Sequence, residues 1–156
     1  MRVGSWLLLC GLAAGCGGTS SPDVETGGGD EPPPPLEVEL RSNRIVFNHQ
    51  IHFANDSDRI LPESHAVLDR VAALMAEHPN LVRLQVQGHS STDGSASHNR
   101  ELSERRAAAV AEYLRTAGVE QEVTSQGYGE TYPLCHEDSE DCHERNRRVE
   151  FFVDER

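Results

Sequence analysis

From residue 41 onward the chain shows two periods of apolar and polar positions. In "RIVFNHQIHF", Ile45, Phe47, Ile51 and Phe53 share one parity, which predicts a β-strand. In "LPESHAVLDRVAALMAEHP", Val67, Leu68, Val71, Leu74 and Met75 form one stripe at helical spacing. Pro62 suits that helix's first turn, and Pro79-Asn80 ends it. "LVRLQVQG" sets Val82, Leu84 and Val86 against Arg83, Gln85 and Gln87, the pattern of a half-buried strand. A second helix is predicted from about Asn99 to Thr116, with Leu102, Ala109, Val110, Tyr113, Leu114 and Ala117 at helical spacing and Gly118 as its stop. "EVTSQGYG" and "RRVEFFV" read as two further strands, the last with Val149, Phe151 and Val153 in alternation. The order β-α-β-α-β-β predicts an α+β sandwich, with two main helices packed on one face of a mixed sheet.

Ahead of this domain, assigned to residues 41–156, the pattern is different. An apolar run from Val3 to Ala14 follows a single basic residue, Arg2. It is too short to span a bilayer as a mature helix and reads as a secretory signal. It ends in Leu12-Ala13-Ala14-Gly15-Cys16, small residues directly before a cysteine. That resembles a bacterial lipobox, which makes residues 1–15 a lipoprotein signal peptide and Cys16 the lipidated N-terminus. The alternative is an ordinary signal peptide with an incidental cysteine. Gly17 rather than Asp follows Cys16. In enteric-type sorting this implies the outer membrane, lipid-anchored, with the domain facing the periplasm. Residues 16–40 are rich in Gly, Ser, Pro and acids, including Pro32 to Pro35, and read as a disordered linker. As a flexible coil such a linker spans roughly 30 Å, and at full extension about 80 Å.

Composition removes several function classes. The 156 residues carry a net charge of −12, against a nucleic-acid partner, which needs a basic face to neutralise phosphates. All 14 basic residues are arginine, so every permanent cationic role falls to a planar guanidinium suited to carboxylates. Eight histidines and 26 acids assemble no H-E-x-x-H, G-x-S-x-G or phosphate-binding loop, so no enzyme and no cofactor is expected.

The chemistry concentrates in "GHSSTDGSASHNRELSERRAAAV", a strand end, a turn of small polar residues with one acid, and an arginine-bearing helix. With "GYGETYPL" and "NRRVEFF", this run resembles the OmpA-like peptidoglycan-binding domain shared with peptidoglycan-associated lipoproteins. The resemblance covers about Arg44 to Val153. It implies a pocket for the diaminopimelate side chain of the peptidoglycan stem peptide, whose ammonium and carboxylate sit on one carbon. Such a zwitterion needs a guanidinium for its carboxylate and an anion for its ammonium. The family's arginine, before Ala in L-S-x-x-R-A, falls on Arg106, with Asn99, Leu102 and Ser103 opening the same helix. A helix start also favours a carboxylate through its free N–H groups. The resemblance gives Arg148 a supporting role near the pocket floor, beside Asn146, and makes Asn55, after the first strand, a candidate contact.

The acid departs from the family pattern. Where G-H-T-D-x-x-G carries its Asp, this chain has Ser91, and an acid appears two residues later at Asp93. Asp93 taking over, weakened binding, and loss of binding with retention of the fold are three open outcomes. The last two suit a scaffold that binds protein partners such as Tol-system components. Cys135 and Cys142 bracket "HEDSED". In an exported protein they read as a disulfide, as similar domains carry in this loop. The alternative is a metal set with His136 and His143, but each His directly follows its Cys, which makes joint chelation awkward. The reading is an outer-membrane lipoprotein that holds peptidoglycan through one domain and membrane lipid through acylated Cys16.

Overall fold

The computed structural model describes residues 35–156. The signal segment, Cys16 and most of the expected linker lie outside the described residues. The elements in chain order are β1 (Val38–Arg41), β2 (Arg44–Phe47), a 3₁₀ turn (Pro62–Ser64) leading into α1 (His65–Glu77), β3 (Leu81–His89), α2 (Ala96–Thr116), β4 (Glu122–Gly129), α3 (Glu140–Asn146) and β5 (Val149–Glu155). The strands form one sheet in the order β1-β2-β5-β3-β4. Only β3 and β4 run parallel; every other neighbouring pair is antiparallel. The last strand thus enters the sheet beside β3 and joins the N-terminal hairpin to the β3-α2-β4 unit.

The fold is α+β as predicted, with helices on a mixed sheet, and the predicted stripes are its core. Val67, Leu68, Val71, Leu74 and Met75 of α1 are all buried. Leu84 and Val86 of β3 and Val149, Phe151 and Val153 of β5 point into the same core. On α2, Leu102, Val110 and Leu114 are buried as expected, Tyr113 is partly buried and Ala117 is exposed. Ala107 and Ala111 are fully buried instead, because this helix comes very close to the sheet.

Glycine permits that approach. A Cβ built on Gly127 would lie 2.2 Å from the backbone nitrogen of Glu104, and one on Gly88 would lie 2.3 Å from the carbonyl oxygen of Ser103. Two α2 side chains then bond the β4 backbone. Ser103 Oγ accepts from Gly129 N at 2.8 Å, and Glu104 Oε2 accepts from Gly127 N at 2.5 Å.

The structure departs from the sequence reading in four places. First, β1 occupies residues assigned to the end of the linker. Val38 is buried despite its acidic neighbours Glu37 and Glu39, because pairing with β2 places it on the core side. Second, the strand predicted across 44–53 ends at Phe47. The Asn48 side chain donates to Pro35 O (2.8 Å) and accepts from Glu37 N (2.9 Å), so it bonds local backbone in place of a ladder. Phe53 keeps only a single bridge, to Ile60. Third, α3 fills the connection between the last two strands. Its N-cap, Ser139, accepts from Cys142 N, and Glu140 and Asp141 sit favourably in its first turn. Fourth, α2 starts at Ala96 behind an N-cap at Ser95, before the predicted Asn99. The N–H of Asn99 is therefore already bonded to Ser95 O, and Asn99, Leu102 and Ser103 offer no free helix-start donors.

Gly127→Ala is expected to destabilise the protein by about 3 kcal/mol or more, since the colliding atoms belong to a helix backbone that cannot turn aside. Urea denaturation of the variant beside the parent measures it.

Candidate functional site

The turn after β3 is built from the backbone outward. His89 N donates to Arg148 O and Ser90 N to Gly129 O, both at 2.9 Å, so the end of β3 is stitched to the chain on both sides. Gly94 takes a left-handed φ of 88°, which lets the turn close onto Ser95. The buried Asn99 side chain reaches Ser91 O (3.1 Å), Asp93 O (2.8 Å) and Glu130 Oε2 (2.8 Å). Asn99 and Ser103 thus shape the turn and dock the helix, while Leu102 is buried. Asn55 is exposed and does not line the cavity described next.

Arg106 stands at the centre of the site. Its Nε donates to Ser57 O at 2.9 Å, and its guanidinium lies 5.0 Å from the centroid of the Phe53 ring. Phe53 and Arg106 border an open cavity of about 170 Å³, whose lining also includes Glu144, Arg147, His52 and Gln50. A smaller cavity shares Phe53, Arg106 and Arg147 and adds His89 and Arg148. Burial, then the charge of Arg147, lowers the pKa of Arg106, with Asp56 opposing. Arg106 remains a cation at neutral pH. A half-buried guanidinium beside a second one favours an incoming anion.

The resemblance gave Arg148 a supporting role and did not single out its neighbour Arg147, which lines the main cavity. Arg148 pairs with Glu150 at 2.9 Å and donates to Tyr132 O at 3.1 Å. Burial pushes the Glu150 carboxyl up, but the Arg148 hydrogen bond and charge outweigh it and hold it below the ordinary value. Arg148 is thereby committed to β5, although it borders the smaller cavity. Arg147 is the guanidinium that lines the main cavity together with Arg106, and it also pairs with Glu140.

The α3 helix, which carries Glu144 and ends just before Arg147, is held at two points. Cys135 and Cys142 form a disulfide, with Cα atoms 5.8 Å apart. Asn146, almost fully buried, accepts from Leu134 N at 2.7 Å and donates to Cys135 O at 3.0 Å. With both sulfurs in the disulfide, no thiolate is left to serve with His136 or His143 as a metal ligand.

Asp93 reaches toward α3. Its Oδ2 lies 2.5 Å from His143 Nδ1 and 3.8 Å from Arg147, and accepts from Ser91 Oγ at 3.2 Å. Ser91, Asp93 and His143 are the residue types of a nucleophilic triad but not in its arrangement. Ser and His both bond the same carboxylate, so the imidazole is not placed to take the serine proton. The clues to Arg147, Glu144 and His143 were the adjacent arginine in "ERNRRV" and the charges of "CHER".

His89 is 4% exposed, and neither ring nitrogen has a hydrogen-bond partner among the described residues. Glu150, at 3.9 Å, is too far for a hydrogen bond, and the ring stacks on Tyr128. Burial, then Arg148, lowers its pKa from 6.5 to about 4. The folded protein therefore binds fewer protons than the unfolded chain between those values, and stability falls as pH drops through that window. The fall attributable to His89 amounts to about 3 kcal/mol at most. In His89→Phe this part of the acid-side decline is expected to disappear, as urea midpoints measured across the window would show.

With the geometry in place, comparison with known proteins gives a consistent family. The profile of the OmpA family matches residues 52–147. The outer-membrane lipoprotein YfiB of Pseudomonas aeruginosa is 32% identical, over 94% of this chain and 90% of that protein. The peptidoglycan-associated lipoprotein of Legionella pneumophila is 32% identical, over 81% of this chain and 69% of its own length. A solved structure of the cell wall anchor of the T6SS from Pseudomonas aeruginosa superposes with a TM-score of 0.64 at 29% identity, covering 78% of this chain and 88% of that one. Of another curated relative the chain spans 57% of the length. The chain is not an enzyme; it belongs to the OmpA family.

Proposed function

We propose that this protein is an outer-membrane lipoprotein whose periplasmic domain binds the diaminopimelate stem peptide of peptidoglycan without covalent attachment. The observation that carries the proposal is the convergence of Arg106 and Arg147 on one open cavity bordered by Phe53. Two guanidiniums at the rim of a small cleft are a receptor for a carboxylate, and Arg106, set by its bond to Ser57 O, is oriented before a ligand arrives. The names of the relatives, a peptidoglycan-associated lipoprotein and a cell wall anchor among them, support the same partner. In this proposal Cys16 carries the lipid and the Gly/Pro-rich segment before β1 is the tether. Among the described residues no helix is long and apolar enough to cross a membrane, which fits anchorage by lipid. Individually weak contacts suffice, because many tethered copies act on one polymeric wall.

A second reading has its own observation. Ser91 stands where the family's acid would be, and Asp93 is engaged by His143 and Ser91. On that reading wall affinity is weak and the fold serves as a scaffold for envelope proteins, Tol-system components among them.

Calorimetric titration of the full chain in detergent with a diaminopimelate-containing stem peptide separates the two. The parent is expected to bind, and Arg106→Gln to lose about tenfold to a hundredfold in affinity. Absence of parent binding at millimolar peptide would reject wall anchoring and leave the scaffold.

A further inference from the structure

A ligand with an ammonium beside its carboxylate needs an anion in the site, and the two positions that the sequence offers to receive the ammonium, Ser91 and Asp93, are engaged with each other outside the cavity. Ser91 is 5% exposed and its hydroxyl donates to Asp93. Asp93 lies outside the lining of the Arg106 cavity, and one of its oxygens takes His143, Ser91 and Arg147 together. From the loop ahead of α1, Asp56 and Asp58 act on Arg106 through charge. Neither lines the cavity, and Asp56 is held by His98 Nε2 at 2.7 Å.

Glu144 differs from all of these. Among the described residues it carries the one carboxylate that lines the cavity. It is exposed, and its carboxylate makes no hydrogen bond or ion pair with any described residue. It stands one helical turn before Arg147, so the two can share a face at the end of α3. The disulfide and the buried Asn146 hold that helix in place, so the acid is presented from a braced element and not from a free loop. With Arg106 and Arg147 it gives the cavity both signs of charge.

We infer that Glu144 is the anion that receives the ligand's ammonium, with Arg106 and Arg147 taking its carboxylate. On this assignment the anion sits on α3 and not in the turn after β3, and Asp93 is a strut between the two. This rests on the stem-peptide reading proposed above.

The test pairs a residue with a ligand group. The full chain, Glu144→Gln and Asp93→Asn are each titrated with a stem peptide bearing diaminopimelate. The same three proteins are titrated with a peptide bearing 2-aminopimelate, which lacks the side-chain amine but keeps the carboxylate. The parent is expected to prefer the diaminopimelate peptide by about tenfold, and Glu144→Gln to erase that preference while binding the deamino peptide as the parent does. Asp93→Asn is expected to retain the preference. A preference abolished by Asp93→Asn and kept by Glu144→Gln would overturn the inference in favour of the turn. Equal parent binding of both peptides would overturn it while leaving carboxylate recognition in place. A parent that binds neither would reject the stem-peptide reading and the inference with it.

Discussion

The close approach of α2 to β3 and β4 is the constraint on which the rest of this domain depends. Gly88 and Gly127 let the helix backbone come within Cβ-excluding distance of the sheet, and Ser103 and Glu104 then bond the β4 backbone. A helix held at those points has one roll angle. That angle sends Ala107, Val110 and Ala111 into the core and leaves Arg106, the neighbour of Ala107, at the edge toward Phe53 and Ser57. The guanidinium is thus set by packing that lies away from it, and its neighbours bring the cavity to it.

The other wall has a different physical origin. With seven residues, α3 is too short to be stable as an isolated helix. It is kept by a covalent clamp at Cys142 and by Asn146, whose amide satisfies the backbone of the incoming loop. His143 and Asp93 tie it to the turn after β3, and Arg148 ties the residues after it to β5. Three separately built pieces therefore meet at one cleft: a helix pinned by glycine contacts, the segment from Gln50 to Phe53, and the end of a short helix held by a disulfide. The arginines on two of them repel one another, and an anionic ligand would relieve that repulsion.

Much of this was legible in advance where the signal is local. Helical and strand periodicity placed the stripe of α1 and the inward residues of β3 and β5, because burial on one face leaves its period in the sequence whatever packs against it. Cys135 and Cys142 read as a pair for a similarly local reason. Where a side chain competes with backbone pairing, or a short strand alternates with acids, the period is too brief to read. Asn48 ended β2, Glu37 and Glu39 disguised β1, and α3 lay hidden in a polar loop.

The sequence by itself determined the α+β class and the apolar faces, since each follows from residue types at fixed spacing, while Arg106 entered as a candidate through the family resemblance. Tertiary structure decided which of two consecutive arginines faces that site and which is held by Glu150. It also decided that Asp93 turns toward His143 and that Glu144 stands free at the cleft. The placing of Asp93 depends on a contact between segments far apart in the chain, since His143 is fifty residues away. Spacing along the chain says nothing about which of several nearby charges will find its partner first.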